Sequence, residues 1–232
     1  MRRPDLAEQI SPFEVLSTQP LTEGHPMVAR LIGRRFDQVL EDLGYERPFD
    51  ARFGKMMVKT LAHLCATLGC SFGFCERTEM SLYAVGGGGE ARRLVSRIAG
   101  EAAAKLSLLL GEVATFEVRL YEFDTVEAAW EYFAWRGQEA QGDALDAWAQ
   151  AALVAGGSDL QAVPMILEGM AADEKAEILR QRGIDYAALP DWQRLGGTVH
   201  VTGDGGGNAR LTVDLRLPGS AEFPDYLRRV LA

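Results

Sequence analysis

Residues 74–83 read Phe-Cys-Glu-Arg-Thr-Glu-Met-Ser-Leu-Tyr, and this stretch decides the predicted fold. Apolar residues at 70–74 and 80–85 are typical of two short strands, and the polar residues Glu76-Arg77-Thr78-Glu79 lie where the strands meet. The sequence therefore predicts a β-hairpin with a charged turn. A metal-dependent phosphoryl-transfer enzyme would place adjacent acids at this turn, because carboxylate oxygens bind divalent cations well. Of the central pair, Glu79 alone is acidic.

Helices and strands are predicted on both sides of this hairpin. Upstream, a strand at 27–31 ends at Gly33, and apolar residues then recur at helical spacing over 53–68. Asp50 is the predicted N-cap of that helix, and Gly69 is expected to close it.

A second helix at about 90–110 and a strand at 114–123 follow the hairpin. The order strand, helix, hairpin, helix, strand predicts the α+β class: a palm-like ferredoxin (βαββαβ) antiparallel sheet with helices on one face. In this layout the first strand and the hairpin are neighbours. Ile32-Gly33 and Thr78-Glu79 are therefore expected to converge.

The second half of the chain is predicted to be mainly helical. Helices are expected through Ala155 with an interruption near Gly142, and then at 158–170 and 173–181. A C-terminal β-hairpin is expected from strands at 198–202 and 210–217 around the glycine-rich tip 204–208. We divide the chain into an N-terminal arm (1–24), a palm-like domain (25–124) and a helical segment with a C-terminal hairpin (125–232). The last of these is expected to pack as one unit with the palm.

Composition limits the classes of partner. The 232 residues are 47% hydrophobic, and 24 Lys+Arg against 33 Asp+Glu give a net charge of −9, which disfavours a broad nucleic-acid surface. Cys65, Cys70 and Cys75 are spaced too widely for a typical zinc site and are predicted to be buried free thiols. We find neither a signal peptide nor a membrane span in the sequence, which predicts a cytoplasmic location and no membrane partner.

Several segments match, in order, the motifs of one enzyme family. The strand end Ile32-Gly33-Arg34-Arg35-Phe36 is similar to Asp-Gly-Arg-x-Phe, residues 47–52 are similar to Lys-Pro-x-Asp-x-Arg, and residues 77–81 are similar to Ser-Asp-Glu-x-Ser. These are motifs of the tRNA-histidine guanylyltransferases and the related guanylyltransferase-like 3′-to-5′ polymerases. The resemblance continues through Arg93-Leu94-Val95-Ser96, Phe116-Glu117-Val118-Arg119, Tyr132-Phe133-Ala134-Trp135-Arg136, Lys175-Ala176-Glu177-Ile178-Leu179 and residues 183–194.

This resemblance implies a nucleoside triphosphate, ATP or GTP, as substrate or ligand, together with Mg²⁺, a tRNA acceptor and a homo-oligomer, dimer or tetramer. Gly33 could donate its N–H to a phosphate because it lacks a side chain. The residues expected to bind the nucleotide and its phosphates are Gly33, Arg34, Arg35, Phe36, Arg47, Asp50, Arg93, Ser96 and Lys175.

The sequence departs from the family at the metal site. The resemblance implies that two aspartates hold the metal ions, and Ile32 and Thr78 stand at their positions. Gly33, through its carbonyl, and Glu79 are then the remaining metal candidates, with Glu79 also the catalytic candidate. Glu76 could supply a further oxygen. The alternative interpretation makes Glu76 and Glu79 two solvated turn residues.

Two functions stay open. One is a divergent guanylyltransferase-like nucleotidyltransferase acting on a nucleoside triphosphate and a tRNA or other 5′-phosphorylated acceptor. The other is a catalytically inactive or repurposed family member that acts as a nucleotide- or protein-binding module. Phe133, Trp135 and Trp148 are predicted to be core residues rather than base-stacking platforms.

Overall fold

The main sheet has six antiparallel strands in the order β6-β2-β4-β3-β7-β8. The structure is a computed structural model that describes residues 19–86, 88–202 and 210–231. Its strands are β1 (Pro20–Leu21), β2 (Pro26–Gly33), β3 (Phe72–Glu76), β4 (Glu79–Val85), β5 (Gly89–Glu90), β6 (Phe116–Glu122), β7 (Gly197–Thr202) and β8 (Arg210–Asp214). Its helices are α1 (Phe36–Asp42), α2 (Ala51–Leu68), α3 (Ala91–Leu110), α4 (Val126–Ala155), α5 (Val163–Leu167), α6 (Ala172–Gln181), α7 (Asp191–Arg194) and α8 (Phe223–Leu231).

Helices cover both faces of the sheet because alternate side chains of the central strands are apolar on each side. Leu31 and Met80 point towards α2 and α3, which form the first core. Val28 and Phe72 point towards α4 and α8, which form the second core. The predicted fold class is confirmed: β2, α2, β3, β4, α3 and β6 form the palm-like βαββαβ unit, with α2 and α3 on one face.

The ends of α2 agree with the sequence prediction. Asp50 is the N-cap, and its carboxylate accepts a hydrogen bond from the Arg52 N–H at 2.7 Å. Gly69 follows the last turn with φ 71°, a left-handed conformation that glycine adopts at low cost. This cap places the N-terminus of α2 beside the β3–β4 turn.

The helical second half differs from its prediction in two places. The predicted break near Gly142 is wrong, because α4 continues for 30 residues through that exposed glycine. One glycine costs a helix only about 1 kcal/mol, and the alanines around it are strong helix formers. The helix predicted at 158–170 is shorter than expected and covers only Val163–Leu167.

The C-terminal hairpin extends the main sheet, because β7 pairs with β3 and β8 pairs with β7. Its predicted tip at 204–208 lies outside the described residues, as does the predicted arm over residues 1–18. From residue 19 onward, β1 pairs with β5 in a separate two-stranded sheet. The division into three domains stays a prediction.

Cys65, Cys70 and Cys75 are free and buried, as predicted. Burial raises the pKa of the Cys70 thiol to about 11 and that of Cys75 to about 12. Among the described residues, the helices are all too short or too polar to cross a membrane.

Candidate functional site

The β3–β4 turn meets the end of β2, as predicted. Arg77 and Thr78 connect the two strands, and Arg77 has a left-handed φ of 44°. The Gly33 N–H donates a hydrogen bond to the Thr78 carbonyl at 3.0 Å. Ile32 and Glu79 lie directly opposite each other in neighbouring strands. Since Glu76 also lies opposite Glu79, their side chains share the face covered by α4.

Glu79 belongs to an ion network that joins the sheet to α4. Its Oε2 accepts from Arg30 Nε at 2.8 Å and lies 3.1 Å from a terminal nitrogen of Arg136. Glu139 pairs with Arg136 and lies 3.5 Å from Arg30. We call Arg30, Glu79, Arg136 and Glu139 the ion network. The interpretation of Glu79 as a solvated turn residue is therefore wrong.

The two arginines of the ion network are fixed by burial, by their carboxylate partners and by Trp135. Arg136 is 1% exposed. Burial lowers the pKa of the Arg30 guanidinium, but the hydrogen bond and charge of Glu79, together with Tyr132 and Glu139, leave it raised overall. Both guanidinium groups lie over the Trp135 ring, at 5.4 and 5.9 Å from its centroid. Trp135 is 42% exposed, so its prediction as a core residue is wrong, whereas Phe133 is fully buried as predicted.

Glu76 is also buried, at 5% exposure, so its interpretation as a solvated residue is wrong too. Its Oε1 has no hydrogen-bond partner among the described residues. Burial raises the pKa of Glu76 to about 8, and Asp143 adds to this shift while Arg77 opposes it. Burial likewise raises the pKa of Asp143, and Glu139 adds to the shift. The Glu76 carboxyl group is thus mostly neutral near pH 7, beside the ion network.

A cavity of about 290 Å³ opens beside the turn, and we call it the turn cavity. Its wall combines apolar side chains with charged residues of both signs. Lys55 and Lys59 line it from successive turns of α2, and neither is ion-paired with a described residue. Other lining residues are Asp37, Leu40, Glu46, Pro48, Phe49, Asp50, Ala51, Phe53, Gly54, Met57, Val58, Cys75, Glu76, Arg77, Thr78, Trp192, Gly197 and Leu215.

Asp50 lines the turn cavity but already has several partners. Its carboxylate accepts from the Glu46 N–H at 3.0 Å, from the Arg52 N–H and from the Arg52 guanidinium. The hydrogen bonds from Arg52 hold the pKa of Asp50 well below its usual range. Asp50 therefore caps the N-terminus of α2 and contributes a permanent negative charge to the cavity wall.

The predicted residues around Gly33 lie near the turn, with partners that the sequence did not disclose. A Cβ atom at Gly33 would lie 2.4 Å from the Phe36 ring and 2.7 Å from the Thr78 carbonyl oxygen. The glycine is therefore required by packing, and its N–H is already bonded to Thr78. This differs from the expected donation to a phosphate. Arg34 pairs with Glu117 at 3.3 Å, and Arg35 is exposed in a left-handed conformation, φ 58°.

Of the other predicted residues, Arg93 and Ser96 lie away from the turn, whereas Arg47 and Lys175 are ion-paired. Arg93 and Ser96 are in the first two turns of α3, which begins beyond the far end of β4. The two ends of β4 are separated by roughly 20 Å, because a strand rises about 3.3 Å per residue. The structure therefore does not bring Arg93 and Ser96 to the turn. Arg47 pairs with Glu41 at 2.8 Å, and Lys175 pairs with Asp146 at 2.5 Å.

The residues at the turn do not fit a clamp of two carboxylates around Mg²⁺. Ile32 has no donor atom, Thr78 offers a neutral hydroxyl, and the charge of Glu79 is matched by Arg30 and Arg136. Within the described ranges, no group of three His, Cys, Asp or Glu side chains is arranged to hold a metal ion. The turn therefore lacks the ligands that metal-dependent phosphoryl transfer requires.

Sequence reasoning missed both arginines of the ion network and the two lysines of the cavity. Arg30 carries a signal, because a charged residue inside the apolar strand 27–31 needs a buried partner. Arg136 is the last residue of the motif at 132–136, but its contact with Glu79 depends on how α4 crosses the sheet. Lys55 and Lys59 lie on the polar side of α2, which looks like ordinary solvent-facing helix.

Comparison with known proteins adds family and fold information. The family model described as Thg1, tRNAHis guanylyltransferase, matches residues 7–127. A bacterial tRNA(His) guanylyltransferase (Thg1)-like protein in complex with ATP is 18% identical with a TM-score of 0.81, covering 98% of this chain and 99% of that one. A structure of such a bacterial protein with GTP is 19% identical with a TM-score of 0.77, covering 97% and 98%.

The tRNA(His) guanylyltransferase of Saccharomyces cerevisiae has the same fold, at 18% identity and a TM-score of 0.71, over 80% of this chain and 90% of that one. The sequence has no significant match among curated proteins.

Proposed function

Because this chain belongs to the tRNAHis guanylyltransferase family, whose model matches more than half of it, we propose that it binds a nucleoside triphosphate, ATP or GTP, in the turn cavity. The fold is shared with bacterial Thg1-like proteins whose structures contain ATP or GTP. The proposal concerns the cavity of about 290 Å³ that Thr78 lines, because nucleotides bind in concave sites with mixed apolar and polar walls.

The chemistry of the cavity wall suits a nucleotide. Phe49, Phe53 and Trp192 offer aromatic surface against which a base can pack. Lys55 and Lys59 provide positive charge for a polyphosphate, and Arg77, which lies 3.7 Å from Asp37, adds to it. This basic group is local, so it is compatible with the net charge of −9.

The function that the geometry supports best is nucleotide binding without the two-aspartate metal chemistry of the family. One observation carries this conclusion: the Glu79 carboxylate is paired with Arg30 and Arg136, while Ile32 and Thr78 offer no carboxylate. Binding would then depend on Lys55 and Lys59 rather than on Mg²⁺. In this function the protein is a binding module that keeps the palm scaffold.

A second candidate is nucleotidyl transfer to a 5′-phosphorylated acceptor, tRNA or another molecule. Family membership favours it, and so does Glu76, a residue of the cavity wall whose buried Oε1 has no hydrogen-bond partner among the described residues. In such a reaction an acceptor phosphate oxygen attacks the α-phosphorus and pyrophosphate leaves. The net charge disfavours a long RNA contact, so a small acceptor fits this candidate better. A homo-oligomer and a cytoplasmic location also stay predictions.

Titration calorimetry with ATP and GTP, in Mg²⁺ and again in EDTA, tests the binding proposal. We expect binding of at least one nucleotide in both buffers. Lys55→Glu should weaken it at least tenfold, because it places a negative charge against the phosphates. Arg93→Glu, the same kind of charge change at the far end of the sheet, is the matched control and should leave affinity within twofold. No binding, or equal loss in both variants, would refute the turn cavity as the nucleotide site.

Transfer is tested separately with nucleotide labelled at the α-phosphate and 5′-phosphorylated RNA or small acceptors. The binding-module function predicts no labelled product in Mg²⁺ or Mn²⁺. Labelled product that disappears in Glu76→Gln, while nucleotide affinity is kept, would establish the second candidate instead.

A further inference from the structure

Strand β8 leaves one edge of the main sheet open. It pairs with β7 on one side and has no neighbouring strand among the described residues on the other. The strand reads Arg210-Leu211-Thr212-Val213-Asp214, without proline or lysine, which natural proteins often use to block an open edge. Leu211 and Val213 are 37% and 46% exposed.

The hydrogen-bonding direction of β8 follows from that of β7. The Val201 N–H donates to the Ser71 carbonyl at 2.9 Å, so the backbone groups of Val201 point towards β3. Backbone groups alternate in direction along a strand, so those of His200 point towards Thr212, its partner in β8. Leu211 and Val213 consequently direct their N–H and C=O groups to the open edge.

The residues of this edge are complementary to themselves. If two copies of β8 run antiparallel about a twofold axis at Thr212, Arg210 of each copy lies opposite Asp214 of the other. Leu211 lies opposite Val213 of the other copy in the same register. In this register, opposite charges face each other and apolar side chains face each other. The outward backbone groups of Leu211 and Val213 in the two copies can form four hydrogen bonds.

We propose that β8 pairs with β8 of a second copy of this chain, antiparallel and centred on Thr212, so that two six-stranded sheets join into one. The pairs Leu211–Val213 exchange backbone hydrogen bonds, and Thr212 faces its own counterpart at a closely spaced, non-hydrogen-bonded position. The exposed side chains of Val201 and Leu215, at 37% and 39%, extend the apolar stripe on the face of α2. Arg210 and Asp214 lie on the opposite face.

Asp214 keeps its present contacts in this arrangement, including its interaction with the Tyr226 side chain on the same face of the sheet. One of its carboxylate oxygens, Oδ1, accepts the Arg216 N–H at 2.9 Å, within its own chain. A carboxylate has acceptor sites for more than one donor, so the same group can also face Arg210 of the second copy.

A cysteine at the twofold position tests the register directly. Thr212→Cys should form a disulfide-linked dimer under mild oxidation, because directly opposed non-hydrogen-bonded positions bring the two Cβ atoms close. The native cysteines are buried and should not contribute. Thr115→Cys, an exposed threonine before the opposite edge strand β6, is the matched control and should not cross-link. Equal cross-linking of both variants, or of neither, would overturn the proposal.

A charge swap tests the pairing without covalent cross-linking. In sedimentation equilibrium, Arg210→Asp and Asp214→Arg should each weaken self-association about tenfold or more, because like charges then face each other. The double variant restores opposite charges and should associate within about threefold of the unaltered chain. Circular dichroism checks that all variants are folded. An unaltered chain that is monomeric throughout, or single variants that associate as well as it does, would overturn the proposal.

Discussion

Glu76 shows how position in the fold determines the chemistry of a single side chain. Its place opposite Glu79 carries it beneath α4, where water is excluded and one oxygen has no partner among the described residues. A carboxyl group in such a place is neutral near pH 7 and can donate a hydrogen bond. This is the opposite of the ionised turn glutamate that a hairpin sequence normally indicates.

The pKa of Glu76 makes stability depend on pH. Burial raises it from 4.5 to about 8, so between these pH values the folded chain holds a proton that the unfolded chain has lost. Unfolding then becomes more favourable as the pH rises, by at most about 1.4 kcal/mol per pH unit. We expect Glu76→Gln to flatten this loss between pH 5 and 8 in urea titrations. The exposed Glu41→Gln is the control, and a similar slope in all three proteins would contradict the assignment.

Two glycines on one helix should respond oppositely to the same substitution. A Cβ at Gly137 would lie 2.6 Å from the Phe223 ring of α8, whereas one at Gly142 would meet nothing within 4 Å. Gly137→Ala should therefore destabilise the protein by about 1–3 kcal/mol, because the packed ring must move. Gly142→Ala should stabilise it by about 0.5–1 kcal/mol. Thermal unfolding measures both, and a destabilising Gly142→Ala would contradict the continuous α4.

The ion network determines how α4 is held against β2 and β4. Glu79→Ala should cost about 3 kcal/mol of unfolding free energy, because it leaves the buried Arg136 without its partner on the sheet. Glu117→Ala is the matched control. Glu117 also contacts two arginines, Arg34 and Arg119, but at 40% side-chain exposure, so its loss should cost less than about 1 kcal/mol.

Equal costs for these two substitutions, measured in urea, would show that Glu79 does not stabilise the helix–sheet contact. Its carboxylate would then be open to another role, including the catalytic one that the sequence predicted.

The elements that the sequence predicted best are those with local signals. The cap at Asp50 and the glycine at position 69 determine the ends of α2, and short-range alternation determines β2 and β4. The contacts of the site were harder to predict from the sequence, because Arg30, Glu79 and Arg136 come together only where α4 crosses the sheet. No local pattern encodes this contact, and the exposed position of Trp135 follows from the same crossing.

At the scale of the whole molecule, the two halves of the chain share one sheet and two cores. β7 covers the edge of β3, and α4 with α8 covers Phe72 and Phe74. We therefore expect the fragment 25–124 to lack cooperative unfolding, because it would expose this apolar face and a bare strand edge. The full chain should show cooperative unfolding by circular dichroism and tryptophan fluorescence alike. A fragment that unfolds cooperatively would instead support the predicted palm domain as an independent unit.

The three buried thiols give the chain built-in reporters of its own opening. An alkylating reagent needs a thiol that is both solvent-accessible and deprotonated. Burial shields Cys65, Cys70 and Cys75 from solvent and raises the pKa of each thiol. Labelling therefore proceeds only through transient opening, and its rate at each position measures the frequency of that opening. Cys75 lines the turn cavity, whereas Cys70 lies at the far end of β3. A ligand seated in the cavity would slow alkylation at Cys75 most, which turns one native residue into a probe of occupancy.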